Sequence, residues 1–321
     1  MEKKIKWGVL GYARIARLSV IPAIVKAKNS EFYAIASRDE EKLQACQKEF
    51  GCPKAYTSYE VLLDDPEVDA VYIPLPNHLH KEWTLKAAQK GKHVLCEKPI
   101  ALNQQECLEM MEACEKYQVK FMEAFMYRYT ARTRKVRELL DSGIIGEVRH
   151  VNSTFRFLLN REGDVRLKPE MGGGSLFDVG CYAINFIGMV TGRSPVSMSG
   201  ECITREGVDV GFSAVLKYDN GLIATVNSGF DTHLLQYSII AGTKGIMHVP
   251  DTFSDTAGKI TVVTAEGSQD VEVEASERYV LEVEDFADAV LKDRKPLFSL
   301  DETVRNIGII EELLKKVGAQ P

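Results

Sequence analysis

Residues Trp7–Ala16 read W-G-V-L-G-Y-A-R-I-A. The apolar run Ile5–Leu10 leads into Gly11, and the amphipathic pattern of Ile15–Lys28 follows. A strand, a glycine turn and a helix form the setting in which a pyrophosphate sits on a helix N-terminus. The spacing G-x-G-x-x-G is only partly met, because Gly11 is followed by Ala13 and Ala16. Gly11 lets the backbone turn and approach a phosphate, and Ala16 still permits close packing of helix on strand. The stretch predicts a loop in which Gly11, Tyr12, Ala13, Arg14 and Ile15 border a dinucleotide. A βα turn without a ligand is the competing reading.

Outward from this loop, residues 1–124 alternate apolar runs with helical patterns. The runs are Ile5–Leu10, Phe32–Ala36, Ala70–Ile73, His93–Cys96 and Lys120–Met122. Between them lie Ile15–Lys28, Glu40–Phe50, Tyr59–Leu63, His80–Gln89 and Gln104–Tyr117. Short strands joined by helices imply parallel crossovers and a doubly wound α/β sheet, with ligands at the carboxyl ends of the strands. After about residue 146 the rhythm changes to period two: Val210, Phe212, Ala214, Leu216 and Tyr218 alternate with more polar neighbours. Residues 125–321 therefore predict a second, α+β domain with a large, mostly antiparallel open sheet. A helix from about Leu176 to Val190 interrupts it, and two more follow near Tyr279–Lys292 and Leu300–Val317.

A net charge of −6 argues against nucleic acid and anionic membrane surfaces as partners, since both select basic patches. No run of about 18 apolar residues predicts a membrane span. The seven cysteines are odd in number and form no C-x-x-C. Reduced thiols in a cytoplasm fit that usage.

The strand ends carry the polar residues. The second strand ends Ala36-Ser37-Arg38-Asp39, where folds that choose NAD place a carboxylate for the ribose 2′-hydroxyl. Ser37 and Arg38, helped by Lys42, suit a 2′-phosphate and so NADP. Asp39 stands close enough to serve as the acid that keeps NAD open, and Ser37 or Asp39 is equally a helix cap. The fourth run ends Ile73-Pro74-Leu75-Pro76-Asn77-His78-Leu79-His80, a rigid turn into a helix. Its H-x-H pair has no acidic or cysteine partner at ligand spacing, so no metal is expected. The next ends Cys96-Glu97-Lys98-Pro99, and a lysine at that edge lends its charge to a neighbour or shifts its own pKa. Downstream, Gly172–Tyr182 reads G-G-G-S-L-F-D-V-G-C-Y, and Asp178 and Tyr182, four apart, share a helix face. Lys98, Asp178 and Tyr182 make a candidate acid/base set, in which a cation lowers the pKa of a phenol. Singly, Lys98 reads as a surface lysine and Asp178 as a first-turn acid complementing the helix dipole.

Five segments in this order, G-V-L-G-Y-A-R-I-A, Y-I-P-L-P-N-H-L-H, C-E-K-P, M-E-A-F-M-Y-R-Y and G-G-G-S-L-F-D-V-G-C-Y, resemble the glucose–fructose oxidoreductase / inositol dehydrogenase / MocA family. The likeness covers nearly the whole chain. Tyr182, A-R-I-A and S-R-D are similar to the branch of dimeric dihydrodiol dehydrogenases and NADP-dependent xylose dehydrogenases. The resemblance implies a Rossmann domain, a second domain that forms homodimers or homotetramers through its sheet, and hydride transfer between a sugar, polyol or diol carbon and a nicotinamide. It implies Lys98 and Tyr182 as the acid/base pair and Asp178 as an orienting group. Arg14, Ser37 and Arg38 fall at cofactor-selecting positions, and Pro74, Asn77, His78 and Glu97 at the cofactor edge. Where relatives continue M-Y-R-Y with H-P, this chain has Thr130-Ala131, which leaves the sugar open. Substrate-side candidates are Arg128, Tyr129, Phe155 and Arg166. A keto- or anhydro-sugar reductase, or a non-catalytic NAD(P)-sensing regulator, are the alternatives.

Overall fold

A computed structural model describes residues 3–161 and 163–319. Two units are formed, Met1–Met126 with Arg278–Thr303, and Tyr127–Glu277 with Val304–Pro321.

The first unit is built on β1 (Ile5–Leu10), β2 (Ser30–Ala36), β3 (Lys54–Tyr56), β4 (Ala70–Ile73), β5 (His93–Glu97) and β6 (Phe121–Ala124). All neighbours pair parallel, in the order β3-β2-β1-β4-β5-β6. The order reverses beside β1, which creates the switch point where doubly wound sheets bind dinucleotides. The crossovers are α1 (Ile21–Lys26), α2 (Glu40–Phe50), α3 (Tyr59–Asp64), α4 (His80–Gln89) and α5 (Gln104–Lys116). β4 is buried at every position, as a sheet covered on both faces demands. Register aligns the strand ends: Leu10 lies opposite Ala36, Ile73 opposite Cys96, and Glu97 opposite Ala124. The polar residues that follow each strand are thereby delivered to one edge.

The second unit contains α6 (Ala131–Asp141), β7 (Val148–Leu158) and α7 (Cys181–Thr191). Its remaining strands are β8 (Ser197–Arg205), β9 (Val208–Lys217), β10 (Ile223–Gly229), β11 (Asp231–Gly242), β12 (Gly245–Pro250), β13 (Gly258–Thr264) and β14 (Gly267–Val273). They form one eight-stranded sheet, β14-β13-β12-β11-β7-β10-β9-β8, antiparallel except for the β7–β10 pair. One face is buried through Ala214, Leu216, Ala224 and Val226, and the other exposes Val215 and Ile223. The stretch Pro169–Thr191 is long and apolar enough to cross a bilayer, which the run-length reading did not anticipate. Of its most apolar 18 residues 83% are buried inside the protein, and α7 at its end is the core helix of this unit.

The chain then returns to the first unit. The helix α8 (Arg278–Leu291) packs there, with the Phe286 ring 5.4 Å from Trp7 of β1. Asn29 fixes it by donating to the Glu284 carbonyl and the Asp288 carboxylate, both at 2.8 Å. Residues 278–303 thus leave the 125–321 domain expected from sequence, because the apolar face of α8 completes the covering of β1. The helix α9 (Leu300–Lys316) begins in the first unit and continues into the second.

Candidate active site

In the first unit, Gly11 ends β1 with φ +102°, a left-handed conformation that favours glycine. A Cβ there would meet Leu75 Cδ2 at 3.2 Å and the Tyr59 hydroxyl at 3.4 Å, so the turn is a cradle that a side chain would fill. The backbone is fixed by Gly11 N–H donating to the Ala36 carbonyl at 2.8 Å. The helix opens at Ala13, whose carbonyl accepts from Arg17 N–H at 3.0 Å, and passes through a π-helical turn at Ala16–Val20. Arg14 is exposed in the first turn, where a cation opposes the helix dipole; an anionic ligand offsets that cost. This combination fits a dinucleotide. Tyr12 is the exception among the loop residues, since its hydroxyl donates to Glu49 of α2 at 2.8 Å. Glu49 also takes the Arg17 guanidinium at 2.8 Å, so Tyr12 offers the loop its backbone.

At the end of β2 the structure separates the roles that sequence left open. Asp39 is the N-cap of α2: its carboxylate accepts from Lys42 N–H at 3.2 Å and faces the Lys42 ammonium at 3.5 Å. Ser37 is buried, and its hydroxyl accepts from Asp39 N–H at 3.1 Å. Arg38 is exposed, and its charge acts on the phenol of Tyr59, whose pKa is raised by burial and drawn back by Arg38. Tyr59 therefore links the Gly11 cradle to Arg38. Its ring is held edge-on against Trp83, 4.8 Å between centroids. Sequence reading passed over Tyr59 because nothing local marks it.

Pro74 is buried at the end of β4, Asn77 opens a 3-10 turn and His78 is exposed. Glu97 accepts from the buried Tyr72 hydroxyl at 2.5 Å and from its neighbour Lys98 N–H at 3.3 Å. Burial together with the Glu97 charge pushes the Tyr72 phenol upward, so it stays a donor. Lys98 precedes a cis proline, half-buried at the sheet edge. Beneath it lies Glu123, 2% exposed, accepting from Ile100 N–H at 3.1 Å. Burial pushes this carboxyl up to about 8, against Thr303, the Ile100 N–H and the Lys98 charge. His80 is fully buried, with Nδ1 3.0 Å from the Pro99 carbonyl and Nε2 2.8 Å from that of Leu75. Burial lowers its pKa to about 4. The second histidine of H-x-H is therefore a bridge between two loops.

In the second unit, Gly174 has φ +111° and lies against Asp209, whose Oδ1 would be 2.3 Å from an added Cβ. Asp209 is buried, and accepts from the Ser175 hydroxyl at 2.6 Å and Leu176 N–H at 2.8 Å. It anchors the start of the helix, which runs through a π turn at Leu176–Gly180 into α7. That turn carries Asp178, and α7 carries Tyr182. Arg166 donates through Nε to Asp178 at 2.6 Å and is held by Asp164 at 3.3 Å. Two predicted site residues are thus directly joined.

Tyr182 is 5% exposed within an aromatic cluster of Phe155, Phe253 and Tyr127, at ring distances of 5.3, 5.4 and 5.8 Å. Phe155 stacks on Phe253 at 5.3 Å with planes 14° apart. Phe253 and Tyr127 escaped sequence reading. Arg128 and Tyr129 are each 5% exposed, and Arg128 donates to Asn185 of α7 at 3.2 Å. Arg128 is thereby tied to α7. Thr130, at the departure from H-P, is the N-cap of α6 and accepts from Thr133 N–H.

Residues 5–125 match the profile of an oxidoreductase family with an NAD-binding Rossmann fold, and residues 133–248 match the GFO/IDH/MocA C-terminal domain. The chain belongs to the Gfo/Idh/MocA oxidoreductase family. It is 40% identical over 312 residues to D-xylose 1-dehydrogenase (NADP(+)) 2 of Haloferax volcanii, covering 96% of this chain and 95% of that protein. It is 32% identical over 330 residues to trans-1,2-dihydrobenzene-1,2-diol dehydrogenase of Xenopus tropicalis, covering 98% of each. The crystal structure of KijD10, a 3-ketoreductase from Actinomadura kijaniata in complex with NADP and TDP-benzene, superposes with a TM-score of 0.92 at 28% identity, covering 98% of each chain. Members of this Gfo/Idh/MocA family thus include both dehydrogenases and a ketoreductase.

Proposed function

We propose that this Gfo/Idh/MocA protein is an NADP-dependent oxidoreductase acting on a CH–OH group of a sugar, polyol or dihydrodiol. The observation that carries the reading is the helix face bearing Asp178 and Tyr182, with Asp178 oriented by Arg166 and Tyr182 set among aromatic rings. Aromatic faces suit the C–H surface of a sugar ring, and a phenol is an acid/base once a cation lowers its pKa. In oxidation Tyr182 takes the hydroxyl proton as hydride leaves the same carbon; in reduction it returns that proton. The family resemblance implies Lys98 as the cation that favours the phenolate. Asp178 orients the substrate hydroxyl, and Phe155 walls the site. When bound, the dinucleotide supplies the hydride acceptor or donor. Gly11, Ala13, Arg14 and Ile15 would hold its pyrophosphate, and Asn77, His78 and Glu97 would border its nicotinamide half.

NADP is favoured because Asp39 is committed to its helix cap, leaving Ser37 and Arg38 at the β2 end for a 2′-phosphate. The similarity to an NADP-dependent xylose dehydrogenase supports the same choice. The fold shared with a 3-ketoreductase keeps reduction of a keto-sugar as the second reading. Copies of the chain associate through the open face of the second sheet, where Val215, Ile223 and Ile203 are exposed. The seven free thiols, six of them buried, fit a reducing cytoplasm. The test is NADP⁺ reduction across aldoses, inositols and dihydrodiols, with the reverse reaction on keto-sugars. Cofactor binding without turnover on either panel would turn the reading to a sensor.

A further inference from the structure

The peptide group between Pro99 and Ile100 is gripped at both ends by buried ionisable side chains. Its carbonyl lies 3.0 Å from His80 Nδ1, and its N–H donates to Glu123 Oε1 at 3.1 Å. His80 is fully buried and Glu123 is 2% exposed. The other ring nitrogen of His80 reaches the Leu75 carbonyl at 2.8 Å, tying this peptide to the loop that closes on Gly11. Leu75 and Pro99 follow different strands, β4 and β5, so no local rule sets their separation. We infer that His80 and Glu123 are positioning residues for Lys98, clamping the peptide that follows the Lys98–Pro99 pair and fixing it to the Pro74–Pro76 loop.

The physical argument is one of restraint. Lys98 stands at a strand end, where the sheet ladder no longer holds the backbone. A long side chain on a free loop samples many positions, and a misplacement of about 1 Å costs on the order of 10²-fold in rate. An unpaired buried peptide group costs free energy, so a carbonyl and an N–H each met by one buried partner have one stable position. Two polar groups taken into the interior and brought to the same peptide are an expensive device for a loop that needs no precision. A neutral imidazole has a single N–H, so it donates to one of the two carbonyls at a time, and the clamp on the Pro99 carbonyl is the tautomer that carries the proton on Nδ1.

This inference rests on the reading of Lys98 as a catalytic group, and the experiment separates the two. Glu123→Leu removes the acceptor, Glu123→Gln keeps it, His80→Asn keeps an amide near the Nδ1 position and His80→Gln one near Nε2. Hydrogen–deuterium exchange of the Ile100 amide in the ligand-free protein is expected to rise tenfold or more in Glu123→Leu and to return in Glu123→Gln. Turnover is expected to fall about tenfold or more in Glu123→Leu and His80→Gln, with substrate KM within about twofold, and to be restored in Glu123→Gln and His80→Asn. Unchanged Ile100 exchange in Glu123→Leu, or wild-type turnover in both Glu123→Leu and His80→Gln while Lys98→Ala loses it, would overturn the clamp. Retained turnover in Lys98→Ala would overturn the catalytic reading instead, leaving the exchange result to decide the clamp.

Discussion

Arg166 Nε lies 2.6 Å from Asp178 Oδ2, and the same guanidinium is held by Asp164. The Asp178 charge, more than any other group, raises the Arg166 pKa, so the guanidinium stays charged at any working pH. One carboxylate oxygen is thereby fixed. Replacing Arg166 by Ala is expected to lower kcat/KM by about 10²-fold through loss of orientation, with Arg166→Lys intermediate. Steady-state kinetics on the best substrate of the panel would check this, and equal rates in Arg166→Ala and wild type would refute the orienting role.

Tyr182→Phe and Lys98→Ala are each expected to lower kcat by about 10²–10⁴, the range of general acid–base catalysis. NADPH affinity, read by fluorescence titration, should change little. Groups that act as a unit are not additive, so the double variant should be scarcely slower than the worse single one. Multiplying effects would show that they act independently.

Cofactor choice and helix capping should separate cleanly at the end of β2. Arg38→Glu is expected to weaken NADPH far more than NADH. Asp39→Ala should leave that ratio unchanged while lowering unfolding free energy by about 1 kcal/mol, the typical worth of an N-cap. Denaturant unfolding beside cofactor titration distinguishes the two, and a large rise in NADPH preference in Asp39→Ala would contradict the cap assignment.

His80 gives a pH prediction with a definite sign. Burial holds its folded pKa at about 4, against 6.5 for an ordinary imidazole. Between those values the unfolded chain binds the proton and the folded chain does not. Stability from this group is therefore complete above about pH 6.5 and lost as pH falls towards 4, a change on the order of 3 kcal/mol. His80→Asn should flatten that limb when unfolding free energy is followed from pH 7 to 4. An unchanged acid limb would show that other groups set it.

Much of the fold was legible because its elements carry their own signals. The strands β1, β2, β4, β5 and β6 are apolar runs, and α2, α4 and α5 have helical spacing between them. β3 is only three residues and begins with Lys54, an edge strand with too little apolar content to register. β8 reads S-M-S-G-E-C-I-T-R and is mostly exposed, so its pairing with β9 and not its composition makes it a strand. β10 and α6 were overlooked too; α6, A-R-T-R-K-V-R-E-L-L-D, is dominated by charge. In the candidate site, the residues next to strand ends were readable from the topology. Tyr59, His80, Glu123 and Asp209 were not, because each acquires its role from a partner distant in sequence. The bond from Arg128 to Asn185 was illegible for the same reason, since the two lie 57 residues apart.

The helix α8 carries one more implication, for the order in which the chain matures. Trp7 and Asn29, near the start, are completed by Phe286, Glu284 and Asp288, which are synthesised some 250 residues later. During translation the nucleotide-binding half waits with an uncovered apolar flank until nearly the last helix emerges. By then the whole of Tyr127–Glu277 has left the ribosome. Neither half is complete on its own stretch of chain: the nucleotide-binding half waits for residues 278–303, and the second unit waits for the end of α9, which emerges last of all.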